Sequence, residues 1–160
     1  MSRLLIVHHS PTATVRALTD AVVAGAHDDA IEGVEVVIRP ALEARAEDVL
    51  AADGYLLGTT ANFGYMSGAL KHFFDTIFLE AGGALSDDGS AAAAAGGRKP
   101  FGLWVHGRYD TAGAVRSVLA IVGALSWSQS ADVLEVLGEV GEDEQAAAYE
   151  LGGTLAALLS

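Results

Sequence analysis

Short apolar runs alternate along the chain with longer stretches in which apolar positions return every three or four residues, and these two periods divide it into strands and helices. Arg3 to His8 encloses the continuous run Leu4-Leu5-Ile6-Val7, the mark of a strand covered on both faces. Ser10-Pro11-Thr12 forms a turn, and Val15, Leu18, Val22 and Val23 then recur at helical spacing from Ala13 to Ala26. Val34 to Arg39 is β-branched and stops at Pro40, Ala44 to Ala52 reads as a short helix, and Tyr55-Leu56-Leu57 as a third strand. Gly58 to Ser67 is polar and aromatic and reads as a loop, after which Leu70, Phe73, Phe74, Ile77 and Phe78 mark one apolar helix face. Glu80 to Lys99, with two Gly-Gly pairs and five consecutive alanines, is expected to be a mobile surface excursion. Beyond it the pattern predicts a strand from Phe101 to His106, a loop from Gly107 to Thr111 and a helix from Ala112 to Leu125. A last strand from Val133 to Leu137 and a terminal helix from Asp143 to Leu159 complete the chain.

Strands that alternate with helices in this way imply an α/β fold: a parallel sheet between two helical layers, with every strand-to-helix loop at its carboxyl end. The loops after the first, third and fourth strands should therefore converge. Ligands of such sheets sit where the winding reverses, so a site is expected there before any motif is considered. A length of 160 residues suits a single domain spanning 1–160, with the excursion at 80–99 as part of it.

Composition narrows the functions. A formal net charge of -12, spread along the chain, opposes contact with nucleic acid or anionic membranes. The absence of cysteine removes disulfides, thiol nucleophiles and thiolate metal sites. No run approaches the roughly 20 apolar residues of a spanning helix, and Leu4-Leu5-Ile6-Val7 is too short for a signal-peptide core, so a cytoplasmic location is expected.

The three converging loops carry the candidate chemistry. Ser10, Thr12 and Thr14 set hydroxyls beside the amides that open the first helix, a combination suited to phosphate; Thr12 as a plain helix cap is the alternative. The second loop, Thr59-Thr60-Ala61-Asn62-Phe63-Gly64-Tyr65-Met66, joins hydrogen-bonding groups to two aromatics and a thioether, which suits a flat, heteroatom-rich ring. His106-Gly107-Arg108-Tyr109 adds Tyr109 for stacking, Arg108 for an anionic substrate and His106 as a proton donor, so that His106 and Tyr109 are the candidates for a part in the reaction. The adjacent His8 and His9 point to opposite sides of a strand, and no metal motif emerges.

The run from Asp53 to Asp75, DGYLLGTTANFGYMSGALKHFFD, resembles the strand, Gly-Ser/Thr-Pro loop, Phe-Gly-x-Met turn and Lys-x-Phe-x-Asp helix of the flavodoxin-like flavoproteins, in their NADPH-dependent FMN reductase and NAD(P)H:quinone oxidoreductase branch. The resemblance implies a flavodoxin-like three-layer sandwich whose five-stranded parallel sheet has the order 2-1-3-4-5. It implies flavin mononucleotide (FMN) as cofactor, NAD(P)H as electron donor, a quinone-like or other small acceptor, and a homodimer or higher homo-oligomer. Phosphate contacts would come from Ser10, Thr12 and Thr14, and ring or ribityl contacts from Thr59 to Met66 (Thr59, Thr60, Ala61, Asn62, Phe63, Gly64, Tyr65, Met66) and from Gly107, Arg108 and Tyr109, with Ala13, Val15 and His106 also in the cofactor-binding segments. Against the family's Ser/Thr-x-Thr-Gly-Asn-Thr loop, Ala13 stands at the glycine and Val15 at the final threonine; Thr60 replaces a proline, and Tyr65 an asparagine. An electron carrier of the flavodoxin type, or a binding module that no longer holds FMN tightly, are the alternative functions.

Overall fold

The computed structural model describes residues 1–81 and 98–160, so residues 82–97 of the expected excursion lie outside the described residues. In chain order the elements are β1 (Ser2–His8), α1 (Ala13–Ala26), β2 (Val34–Pro40), α2 (Ala46–Ala51), β3 (Gly54–Asn62), β4 (Tyr65–Met66), α3 (Gly68–Ile77), β5 (Pro100–Gly107), α4 (Ala112–Ala124), β6 (Ser128–Gln129), β7 (Leu134–Leu137) and α5 (Glu142–Leu159). The parallel sheet runs β2-β1-β3-β5, and β6 and β7 both pair with β5 beyond it. This is the expected order 2-1-3-4-5, with β5 in the fourth place and the fifth strand divided into β6 and β7.

One expectation is corrected. Gly58 to Ser67 is not a loop: β3 continues through Asn62, with Thr59 and Thr60 registered against Val105 and His106, and turns back antiparallel into β4. Pairing with β5 overrides the turn-like composition of the segment.

Alternation along the central strands divides the core in two. Leu5, Val7, Tyr55, Leu57, Leu103 and Val105 point toward α2, α3 and α4, whereas Leu4, Ile6, Leu56 and Trp104 point toward α1 and α5. Tyr55 stacks on Trp127 with 3.9 Å between ring centroids and donates its hydroxyl proton to the Val49 carbonyl at 2.8 Å, so its one polar atom is satisfied within the core. The outer strand β2 is flanked by two ion pairs, Arg3 to Glu35 at 2.9 Å and Arg39 to Asp48 at 3.5 Å, and ends in Pro40.

On the other face, α1 and α5 meet backbone to backbone. A Cβ on Gly152 would lie 1.9 Å from the Val22 carbonyl oxygen, and one on Gly25 would lie 1.9 Å from the Tyr149 carbonyl oxygen. Gly152→Ala should therefore force the helices apart and destabilise the fold by about 2 kcal/mol, the usual scale for overpacking. Gly123→Ala, where nothing lies within 4 Å of the added carbon, should stabilise it by about 0.5–1 kcal/mol as a helical glycine replaced. Urea unfolding checks both signs; a neutral Gly152→Ala would contradict the close contact.

Candidate functional site

At the carboxyl ends of the strands, on the side of α1 and α5, four segments enclose an open cleft of about 540 Å³. Its walls are Pro11, Thr12, Thr14 and Val15 at the start of α1; Thr60, Ala61 and Asn62 at the end of β3; His106, Gly107 and Arg108 after β5; and Gly138 and Glu139 after β7. The size is that of a small-molecule site.

The α1 wall is a helix N-terminus. Thr12 is its N-cap, with extended backbone, and its Oγ1 accepts a long hydrogen bond from the Val15 amide at 3.3 Å. No acidic side chain lies in the first turn, whereas α2 and α5 carry Glu47-Asp48 and Glu142-Asp143-Glu144 there. The partial positive charge of the α1 terminus is thus left uncompensated by its own side chains. Ala13 is the first helical residue and does not have positive φ, so this position does not require the conformational freedom of glycine. Behind the loop, Ser10 Oγ lies 2.8 Å from His8 Nδ1 and 2.7 Å from Thr19 Oγ1.

The β3 wall holds the most unusual polar atom of the site. Thr60 Oγ1 is buried in the cleft floor and has no hydrogen-bond partner among the described residues. An unpaired buried hydroxyl costs on the order of 1–3 kcal/mol, a cost that a ligand accepting or donating there would relieve. Beyond Asn62 the hairpin turns on Phe63 and Gly64, with φ of 53° and 76°, a pair of left-handed residues that matches the twist of a two-residue hairpin. The turn is pressed onto α4, because a Cβ on Gly113 would lie 1.8 Å from the Gly64 carbonyl oxygen.

The last two walls are joined. His106 Nε2 donates to the Gly138 carbonyl at 2.6 Å, and the Gly138 amide donates to the Gly107 carbonyl at 2.9 Å. The Nε2 proton is therefore committed, and the neutral ring offers only the Nδ1 lone pair to anything else. Nearby, Thr111 Oγ1 donates to Glu135 at 2.7 Å and Asp110 accepts from the Ala112 amide at 2.9 Å, fixing the start of α4.

Of the residues expected at the site, the cleft brings together Thr12, Thr14, Val15, Thr60, Ala61, Asn62, His106, Gly107 and Arg108. Others fall elsewhere. Thr59 is fully buried, with its hydroxyl bonded to the Thr60 carbonyl and facing Ser67, and Met66 lies in the core beneath α3 and α4, because β3 and β4 turn these side chains to the opposite face. Ser10 is engaged behind the loop, and Ala13 is exposed without lining the cleft. Phe63, Tyr65 and Tyr109, neighbours in chain or strand pairing of the cleft residues Asn62 and Arg108, are solvent-exposed and do not line the cleft, Phe63 being wholly exposed. Gly138 and Glu139 escaped the sequence reading, although the rule that gathers strand-to-helix loops at one end applies to the last strand as well. Among the described residues, no group of His, Asp or Glu is placed to hold a metal ion, and no helix is long and apolar enough to cross a membrane.

No protein-family model matches the chain. A flavodoxin of Aquifex aeolicus (strain VF5) is 34% identical over 94 residues, which is 59% of this chain and 49% of that protein, so the match spans about half the length of this curated relative. A flavodoxin from the domain Archaea superposes with a TM-score of 0.78 at 13% identity, covering 98% of both chains. The flavodoxin WrbA-like protein of Agrobacterium tumefaciens superposes with a TM-score of 0.73 at 15% identity, covering 99% of this chain and 98% of that one. The fold is flavodoxin-like.

Burial, reinforced by the neighbouring His9 and only partly opposed by Asp20, holds the His8 imidazole below its ordinary value of 6.5. The folded state thus favours neutral His8 more than the unfolded state does. The resulting stabilisation is complete above about pH 6.5 and lost as the pH falls through the lower folded value. Urea titrations between about pH 7 and pH 5 should show wild-type stability falling with acid more steeply than that of His8→Asn. Identical slopes would contradict this.

Proposed function

We propose that the cleft binds FMN and that the protein passes electrons through it from NAD(P)H to a quinone-like or other small acceptor. One observation carries the reading: neutral donors converge at the switch between β1 and β3, where the free N-terminus of α1 and the Thr12 and Thr14 hydroxyls face a cleft floored by the unpartnered Thr60 Oγ1. This donor set fits a phosphate monoester and its adjoining polyol, since all of it can donate and Arg108 adds a cation on the wall. Ala13 in place of a glycine is no obstacle, because it sits in ordinary helical backbone.

If held at the α1 terminus by Thr12 and Thr14, FMN would supply the hydride-accepting and one- or two-electron redox chemistry. The chain's own part is to bind and orient. The α1 terminus anchors the anionic end, while Phe63, Tyr65 and Tyr109 stand exposed beside the cleft residues Asn62 and Arg108 as stacking surfaces for flat rings. His106 holds the Gly138–Glu139 wall in place through Nε2, so it donates a proton to an acceptor only after its ring has been protonated at Nδ1.

A second reading, a flavodoxin-type electron carrier, is favoured by the net charge of -12 and by the similarity to the Aquifex flavodoxin. The two differ in turnover: the oxidoreductase consumes NADH or NADPH with a simple quinone as sole partner, whereas a carrier is idle until a reductase is added.

Titrating apo-protein with FMN should quench flavin fluorescence at micromolar concentration; no quenching at that level would sink the flavin reading and leave a binding module on the same fold. Thr60→Val keeps the shape and removes the hydroxyl. It should leave the apo-protein as stable as wild type or more so, while weakening FMN about tenfold, the scale of one hydrogen bond to a polar ligand. Loss of both stability and affinity would mean that Thr60 serves packing instead.

A further inference from the structure

The loop before α1 contains a hydrogen-bond chain whose direction follows from counting protons. Thr19, on the buried side of α1, donates its hydroxyl proton to the Val15 carbonyl at 3.2 Å. A threonine hydroxyl has one proton, so where that bond to Val15 is kept, the 2.7 Å contact between Thr19 and Ser10, in which either oxygen can donate, takes the proton of Ser10. Ser10 then has none for His8, and the 2.8 Å contact between them carries a proton on His8 Nδ1. The chain runs His8 Nδ1–H to Ser10, Ser10 to Thr19, and Thr19 to the backbone of α1. It links the last residue of β1 to the first turns of the helix whose N-terminus forms the cleft wall.

A phosphate oxygen only accepts hydrogen bonds. Ser10 has spent its proton on Thr19, whereas Thr12, whose oxygen accepts from the Val15 amide, keeps its own proton to give. Consistently, Thr12 and Thr14 line the cleft and Ser10 does not. We propose that His8, Ser10 and Thr19 form a strut that positions the loop, and that Ser10, despite standing at the head of the phosphate segment, is not a ligand of the anion. His8 and Thr19 thereby become positioning residues of a site they never touch. The inference rests on the FMN reading for what the loop holds, but the strut itself is a property of the empty chain.

Two measurements test it. Nitrogen-15 NMR of apo-protein, above the titration of His8, should show the neutral imidazole protonated at Nδ1, the less common tautomer. An Nε2–H tautomer overturns the strut whether or not flavin binds. FMN affinity is then compared for Ser10→Ala, Thr19→Val and the double variant. As links of one chain, each single change should weaken FMN about tenfold, and the double should be no worse than the weaker single. His8→Leu should match them, and His8→Asn, which restores an N–H near the Nδ1 position, should recover most of the affinity. If Ser10→Ala weakens FMN while Thr19→Val leaves it unchanged, or if the two effects add, Ser10 is a ligand and the proposal fails. Should the substitutions prevent folding, the tautomer in the unaltered protein still decides. Wild-type protein that binds no FMN overturns the flavin reading by itself, and the apo-protein spectrum separates that failure from failure of the strut.

Discussion

Everything at the cleft depends on how closely α1 can lie against α5. The contact between Gly25, Val22, Tyr149 and Gly152 leaves no room for a side chain, so the two helices are held at the shortest separation their backbones allow. With α1 fixed there, Leu18 and Val22 reach the sheet beside Leu4 and Ile6. The helix then begins beside the end of β1, where Thr12 caps it and the strand's last residue, His8, is linked through Ser10 to Thr19 in its second turn. A contact far from the cleft thus sets the direction in which a helix terminus points.

Charge placement follows the same geometry. The chain is strongly acidic, yet the first turn of α1 has no carboxylate, while the first turns of α2 and α5, neither of which lines the cleft, are acidic and stabilise their own helices. Glu139 is the carboxylate in the cleft wall, and its neighbour Gly138 is the residue that His106 grips. The wall that brings negative charge to the site is therefore also the one held by a histidine.

Much of this was legible in the sequence. Apolar runs and helical periodicity located the long helices, the strands β1 and β5 and the first half of β3 to within a few residues, because both faces of these strands are buried and leave a continuous apolar signature. The site was legible by position more than by side chain. Gly58-Thr59-Thr60-Ala61-Asn62 has the composition of a loop, and only pairing with β5 makes it a strand; once it is a strand, alternation turns Thr59 inward and Thr60 to the cleft. The bond that ties Ser10 behind its loop depends on Thr19, nine residues away along the chain and one helical turn beyond Val15, and no local motif announces it.

The edge formed by β2 has a further consequence, for how the molecule meets its own copies. An outer strand offers a row of free amides and carbonyls to any similar strand, and here the chain is 51% hydrophobic. Arg3 with Glu35, Arg39 with Asp48 and the closing Pro40 line that border. A solvent-exposed pair such as Arg3 with Glu35 adds little to folding energy. At this border these residues set hydrated charge and a missing backbone donor where strand pairing between copies would begin, a guard that stands apart from both core and cleft.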